Sequence, residues 1–225
     1  GPSSIKDIDN LLAKTFKTAK KFAPLPKEKR YTLQTTPQNE VIIAPYNAKN
    51  IYMVQFHNEN KEWNPNDAAK ISLFNEYFGG GMNAIVFQEM REARALAYTA
   101  SASYHMPNRL GDKDYFNTFI ITQNDKMMDC IAQFNELLNN MPVRLANFDL
   151  AKQNLLKSLA STRTTKFSIL SAYMNAQKMG LNCTLSEKIY NDLPSVTFDD
   201  IINFEKTNIG HKTFKYLILG DEKEL

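Results

Sequence analysis

The chain has 225 residues, 43% hydrophobic and 23% charged, enough for one large packed domain or at most two small ones. A net charge of +3 and a pI near 8.7 are a slight excess, and with no nucleic-acid-binding motif beside it they argue against a nucleic-acid partner. No apolar run reaches the length of a membrane span.

Gly1-Pro2-Ser3-Ser4 reads as the remnant of a cleaved tag, so the lack of a visible signal peptide leaves localisation open. From Ile5 to Phe22, Ile5, Ile8, Leu11, Leu12, Phe16 and Ala19 recur at helical spacing, and Pro24 and Pro26 stop the pattern. Lys27 to Asn39 is polar and reads as a linker. The basic run Lys17 to Lys29 reads as a solvated helix face and a linker. Val41 to Ala44 is a short strand closed by Pro45, and Ile51 to His57 a second, rich in β-branched and aromatic residues. Asp67 to Phe78 is helical, capped by Asn66 or Asp67, with Ala68, Ile71, Phe74, Tyr77 and Phe78 on the apolar face. Gly79-Gly80-Gly81 ends it, glycine reaching the left-handed conformation at little cost.

Ala84 to Arg94 is the next helix. Ala97 to His105 alternates, with Tyr98, Ala100, Ala102 and Tyr104 expected on one face and Thr99, Ser101 and Ser103 on the other. Pro107 to Lys113 turns the chain into a partner strand from Tyr115 to Thr122. Asp125 to Asn140 is a helix expected to face Met127, Met128, Ile131, Phe134, Leu137 and Leu138 inward. Phe148 to Thr162 and Phe167 to Met179 form a long helical pair. Shorter helices at Ser186 to Asn191 and Asp199 to Asn208 precede a final strand, Lys212 to Leu219. Strands in hairpin order, then a run of helices and one late strand, indicate an α+β fold. Cys130 and Cys183 read as two buried free thiols, neither in a metal-type spacing.

Most familiar catalytic chemistries have no residues here. A catalytic zinc needs three converging protein ligands and an open position for water. The three histidines, His57, His105 and His211, form neither HxxEH nor HExxH. There is no Gly-x-Ser-x-Gly elbow. The glycine triplet lacks the Lys-Ser/Thr of a phosphate loop and follows a helix rather than a strand.

What remains is the segment from Tyr77 to Tyr98: a helix into three glycines, a second helix with a basic end, and a small-residue strand. Arg91 and Tyr98 lie seven residues apart across that junction, close enough to share one space. On the residues alone a structural role is open too, with Arg91 pairing with the neighbours of Glu92 or capping a helix end, and Tyr98 beginning a strand with its ring in the core.

This order closely resembles the C-terminal, non-zinc half of pitrilysin/insulinase-type zinc metallopeptidases. The likeness is specific at this segment and extends in element order from about Val41 to the C-terminus. It implies a mitochondrial processing peptidase-like half over residues 41–225: a mostly antiparallel sheet with helices on one face. Residues 5–40 are then a helix and linker from an upstream region. It implies the non-catalytic half of a zinc metalloendopeptidase, a chamber wall that grips unfolded peptide. Zinc and the general-base glutamate belong to a homologous partner half, on the same parent chain or a separate subunit. This chain then carries no cofactor, no metal ligand and no catalytic residue of its own.

In that resemblance Arg91 and Tyr98 are substrate-binding residues, and Gly79, Gly80 and Gly81 a hinge or turn. Arginine supplies fixed donors for peptide carbonyls, and a phenol aimed at a developing oxyanion contributes roughly a hundredfold in rate. Ala95 stands where the family often has glycine, and Arg94 reads as a surface cation. The alternative is a structural or assembly subunit of the same fold without peptidase activity. Retention of both Arg91 and Tyr98 favours the protease.

Overall fold

The computed structural model describes residues 3–16, 23, 24, 26, 27, 29, 31–221 and 223. They fall into two compact units, Gly1–Thr32 and Leu33–Leu225. The first holds helix α1 (Ile5–Thr15), opened by a capping box in which Ser4 and Asp7 satisfy each other's backbone N–H groups. None of its residues is buried. The expected continuation from residue 17 to residue 22 lies outside the described residues.

The second unit is built on a sheet of order β1-β5-β2-β4-β3. Its strands are β1 (Glu40–Pro45), β2 (Asn50–His57), β3 (Thr99–His105), β4 (Tyr115–Gln123) and β5 (Lys215–Gly220). The pairings β2–β4, β2–β5 and β3–β4 are antiparallel, and only β1–β5 is parallel. The late strand thus enters the middle of the sheet, as expected of a chain that returns after its helices. Alternation sets the faces. Ile51 and Met53 of β2, Ala100 and Ala102 of β3, and Phe116 and Ile120 of β4 are buried. Their neighbours Tyr52, Val54, Phe56, Phe119 and Ile121 are only half-buried, so the helices cover one face.

Those helices are α2 (Ala68–Phe74), α3 (Ile85–Phe87), α4 (Met127–Asn139), α5 (Leu145–Ser161), α6 (Ile169–Lys178), α7 (Leu185–Asp192) and α8 (Phe198–Asn208). Aromatic side chains fill the layer between them: Phe74 stacks on Phe78 at 5.2 Å, and Phe204 meets the Tyr104 ring edge-on at 4.9 Å. Met128 was expected inward on α4 but is exposed, because the apolar stripe of that helix runs through Cys130, Phe134, Leu137 and Leu138. Both cysteines are free, yet only Cys130 is buried, while Cys183 is half-buried.

The stretch read as a linker is partly tied down. Thr36 is buried, its hydroxyl lies 3.0 Å from His57 Nδ1, and it exchanges hydrogen bonds with the Asn58 backbone. Asn58 also donates to the Gln34 carbonyl, and Asn39 accepts from the Phe214 N–H. Polar composition here marks side chains that bond the ends of β2 and β5.

Candidate functional site

Two wide helical turns frame the segment singled out in the sequence. α2 runs on through a π turn, Asn75–Gly79, and α3 through another, Gln88–Ala93. Such turns add a residue to the spiral and are frequent at functional sites. The first docks on the edge strand β3. The Asn75 side chain donates to the Tyr104 carbonyl at 2.9 Å and accepts from the Tyr104 N–H at 2.8 Å, taking the place of a neighbouring strand.

The glycines end the helix, but not by a left-handed turn. None of Gly79, Gly80 and Gly81 has positive φ. Gly79 is needed for close approach: a Cβ there would sit 2.0 Å from the Ala102 carbonyl oxygen. Gly80 is crowded by the Asn75 carbonyl, at 2.9 Å from its ideal Cβ, whereas Gly81 meets nothing within 4 Å.

The second π turn carries Arg91. Its guanidinium lies 5.1 Å from the Phe87 ring centre and 5.5 Å from that of Tyr98, with Nε 3.6 Å from the Glu92 carboxylate. A cation over an aromatic face is held by the ring quadrupole while its N–H edges stay free to donate. Tyr98 does not share the buried face of Ala100, Ala102 and Tyr104. It is 74% exposed, because the strand begins only at Thr99. The two residues are therefore together and open to solvent.

The turn between them is held from several sides. Ala95 has φ +50°, a left-handed conformation that costs an L residue about 1–2 kcal/mol. Around it, Leu96 N–H donates to the Met90 carbonyl at 2.9 Å, and Tyr98 N–H to that of Ile121 at 2.9 Å. Lys126 donates to the Ala95 carbonyl at 3.1 Å, Thr122 to that of Leu96 at 2.6 Å, and the buried Cys130 thiol to the same oxygen at 3.1 Å. Backbone strain persists where surrounding contacts over-determine it, as they do here.

Two residues before Arg91 on the same turn is a charge the sequence did not single out. Glu89 is buried, accepting from Arg94 at 2.5 Å and from Arg144. Arg94 is the surface cation expected, its side chain 42% exposed, and it turns its guanidinium onto this buried carboxylate. A Glu two residues before a candidate Arg on a helical turn was the available signal, but nothing in the pattern told a buried carboxylate from a solvated one.

A zinc ion does not suit the histidines present. His57 Nδ1 is 2.7 Å from the Thr213 carbonyl oxygen, His105 Nε2 is 2.5 Å from Asn117 while its ring stacks on Tyr115, and His211 is exposed. Among the described residues, no cluster of three or more His, Cys, Asp or Glu side chains could hold a metal.

The fold recurs in solved structures. The peptidase M16 inactive domain from Pseudomonas fluorescens matches with TM-score 0.68 at 16% identity, over 85% of this chain and 46% of that one. The periplasmic protease PqqL from Escherichia coli matches with TM-score 0.67 at 15% identity, over 99% of this chain and 25% of that one. Pitrilysin matches with TM-score 0.56 at 13% identity, over 84% of this chain and 20% of that one. The chain spans less than half the length of each of the three. No curated protein sequence matches it. This chain thus shares its α+β fold with a domain of each of these three structures. The family model described as the peptidase M16 inactive domain matches residues 1–157, and the chain belongs to that family.

Proposed function

We propose that this domain is the non-catalytic half of an insulinase-type zinc metalloendopeptidase, forming part of a chamber wall and gripping peptide for a zinc-bearing partner half. The observation that carries the reading is the Arg91–Tyr98 pair, stacked at 5.5 Å and open to solvent at the start of the edge strand. A fold needs no such pair: neither ring nor guanidinium fills the core. A guanidinium with free N–H edges suits backbone carbonyls of an extended peptide. A phenol beside it suits the oxygen that becomes negative as the scissile carbonyl is attacked.

Two further observations support the reading. The sheet face away from the helices carries Tyr52, Val54, Phe56, Phe119 and Ile121, an apolar wall that an unfolded chain can lie against without losing a charge to burial. Val41, Ile42 and Ile43 of β1, and Ile169, Leu170 and Tyr173 of α6, are exposed, and apolar patches of this kind mark surfaces that meet another protein part. The zinc and the general base belong to that partner half.

The experiment is steady-state kinetics on this domain combined with its zinc-bearing half. Tyr98→Phe should lower kcat more than it changes KM, since a hydrogen bond to the oxyanion acts in the transition state. Arg91→Ala should raise KM by the equivalent of about 1.5–3 kcal/mol, a charged hydrogen bond acting in the ground state too. If neither constant moves, the pair is structural and the domain is an assembly subunit of the same fold.

A further inference from the structure

The Glu89 carboxylate is 11% exposed and ends in two guanidiniums, Arg94 at 2.5 Å and Arg144. Arg144 opens α5, and its N–H donates to the Tyr77 hydroxyl at 3.2 Å. That hydroxyl in turn donates to the Pro142 carbonyl at 2.6 Å. One carboxylate therefore ties the second π turn to the connection between α4 and α5 and to the residue where that turn ends. Arg91 stands two positions along the same turn. Arg94 stands next to the strained Ala95 and four residues before Tyr98, with a side chain 42% exposed.

We propose that Glu89 is a positioning residue for the Arg91–Tyr98 pair: it fixes the turn that aims Arg91 and occupies Arg94, so that one guanidinium alone faces the phenol. The inference rests on the reading of that pair as substrate contacts. Removing the charge leaves Arg94 and Arg144 without the anion they share, and they repel each other. Arg94 then competes with Arg91 for the face of Tyr98 and for the carbonyls Arg91 would hold. The turn, freed from the start of α5, no longer fixes the Arg91 side chain between two rings.

A double-mutant cycle in the complete protease separates this from a loss of stability. Binding of a fluorescein-labelled, reduced and carboxymethylated α-lactalbumin is followed by anisotropy, alongside KM for its cleavage. Measurements are made where circular dichroism shows every variant fully folded. Glu89→Gln should weaken binding and raise KM about tenfold, with kcat within twofold. Arg91→Ala should weaken binding at least as much. In the double variant the loss should match that of Arg91→Ala alone, because a positioning residue has nothing left to position. Independent losses that multiply, or a folded Glu89→Gln variant with unchanged binding while Arg91→Ala is impaired, would overturn the inference alone. Unchanged binding in Arg91→Ala itself would overturn the reading of the pair, and the role of Glu89 with it.

Discussion

Glu205 on α8 offers the sharpest test of how this core holds its charges. The side chain is buried, and its Oε1 has no hydrogen-bond partner among the described residues. It lies so close to Gly210 that a Cβ there would sit 2.9 Å from Oε1. Burial disfavours the carboxylate and raises the group from an ordinary 4.5 to about 7, with Lys206 opposing only in part. A carboxyl raised in the fold supports stability fully below its unfolded value and loses that support as pH rises through its folded value. Going from pH 4.5 to above 7 should therefore cost this site ~3 kcal/mol, at about 1.4 kcal/mol per pH unit. Glu205→Gln keeps the shape and removes the charge. Urea unfolding of both proteins at pH 5 and pH 8 should show the variant gaining ~2 kcal/mol relative to the parent on going to pH 8. Contributions of all other titrating groups cancel in that comparison. A stability difference that is the same at both pH values would refute the reasoning and mean that Glu205 is solvated or paired when ionised.

Ala95→Gly should raise stability by ~0.5–1 kcal/mol in urea unfolding: the left-handed φ of +50° favours glycine, and the freer unfolded chain takes back part of the gain. Gly79→Ala should destabilise by ~3 kcal/mol or more, since the methyl group would meet the Ala102 backbone, while Gly81→Ala, into open space, should stay within about 0.5 kcal/mol by the same assay. His57 should titrate below its ordinary 6.5, because burial opposes its charge and Lys212 repels it, against the Thr213 carbonyl and Glu59. Its support for the fold is thus complete above pH 6.5 and falls as acid protonates it, so hydrogen exchange, corrected for intrinsic rates, should show Thr36 and Asn58 amides less protected at pH 5.5 than at pH 7.5.

Much of the fold is written in local periodicity. The alternation from Thr99 to His105, the helical stripe of Ala68, Ile71 and Phe74, and the late strand from Lys215 are visible in the chain because burial on one face demands a period of two or 3.6. The Arg91 and Tyr98 pairing was legible too, since seven residues across a helix end and a strand start keep two side chains within reach. What the sequence could not decide depends on non-local contacts. Gly79 is glycine because the Ala102 backbone, far along the chain, presses against it, not because its own φ requires it. Tyr98 is exposed because its strand starts at Thr99, two residues later than the alternation from Ala97 suggests. Glu89 became a buried anchor only when Arg144, 55 residues away, closed over it. Periodicity reports which face a residue takes within its own element; what that face meets is settled by tertiary packing, where close approach, burial and charge pairing are first decided.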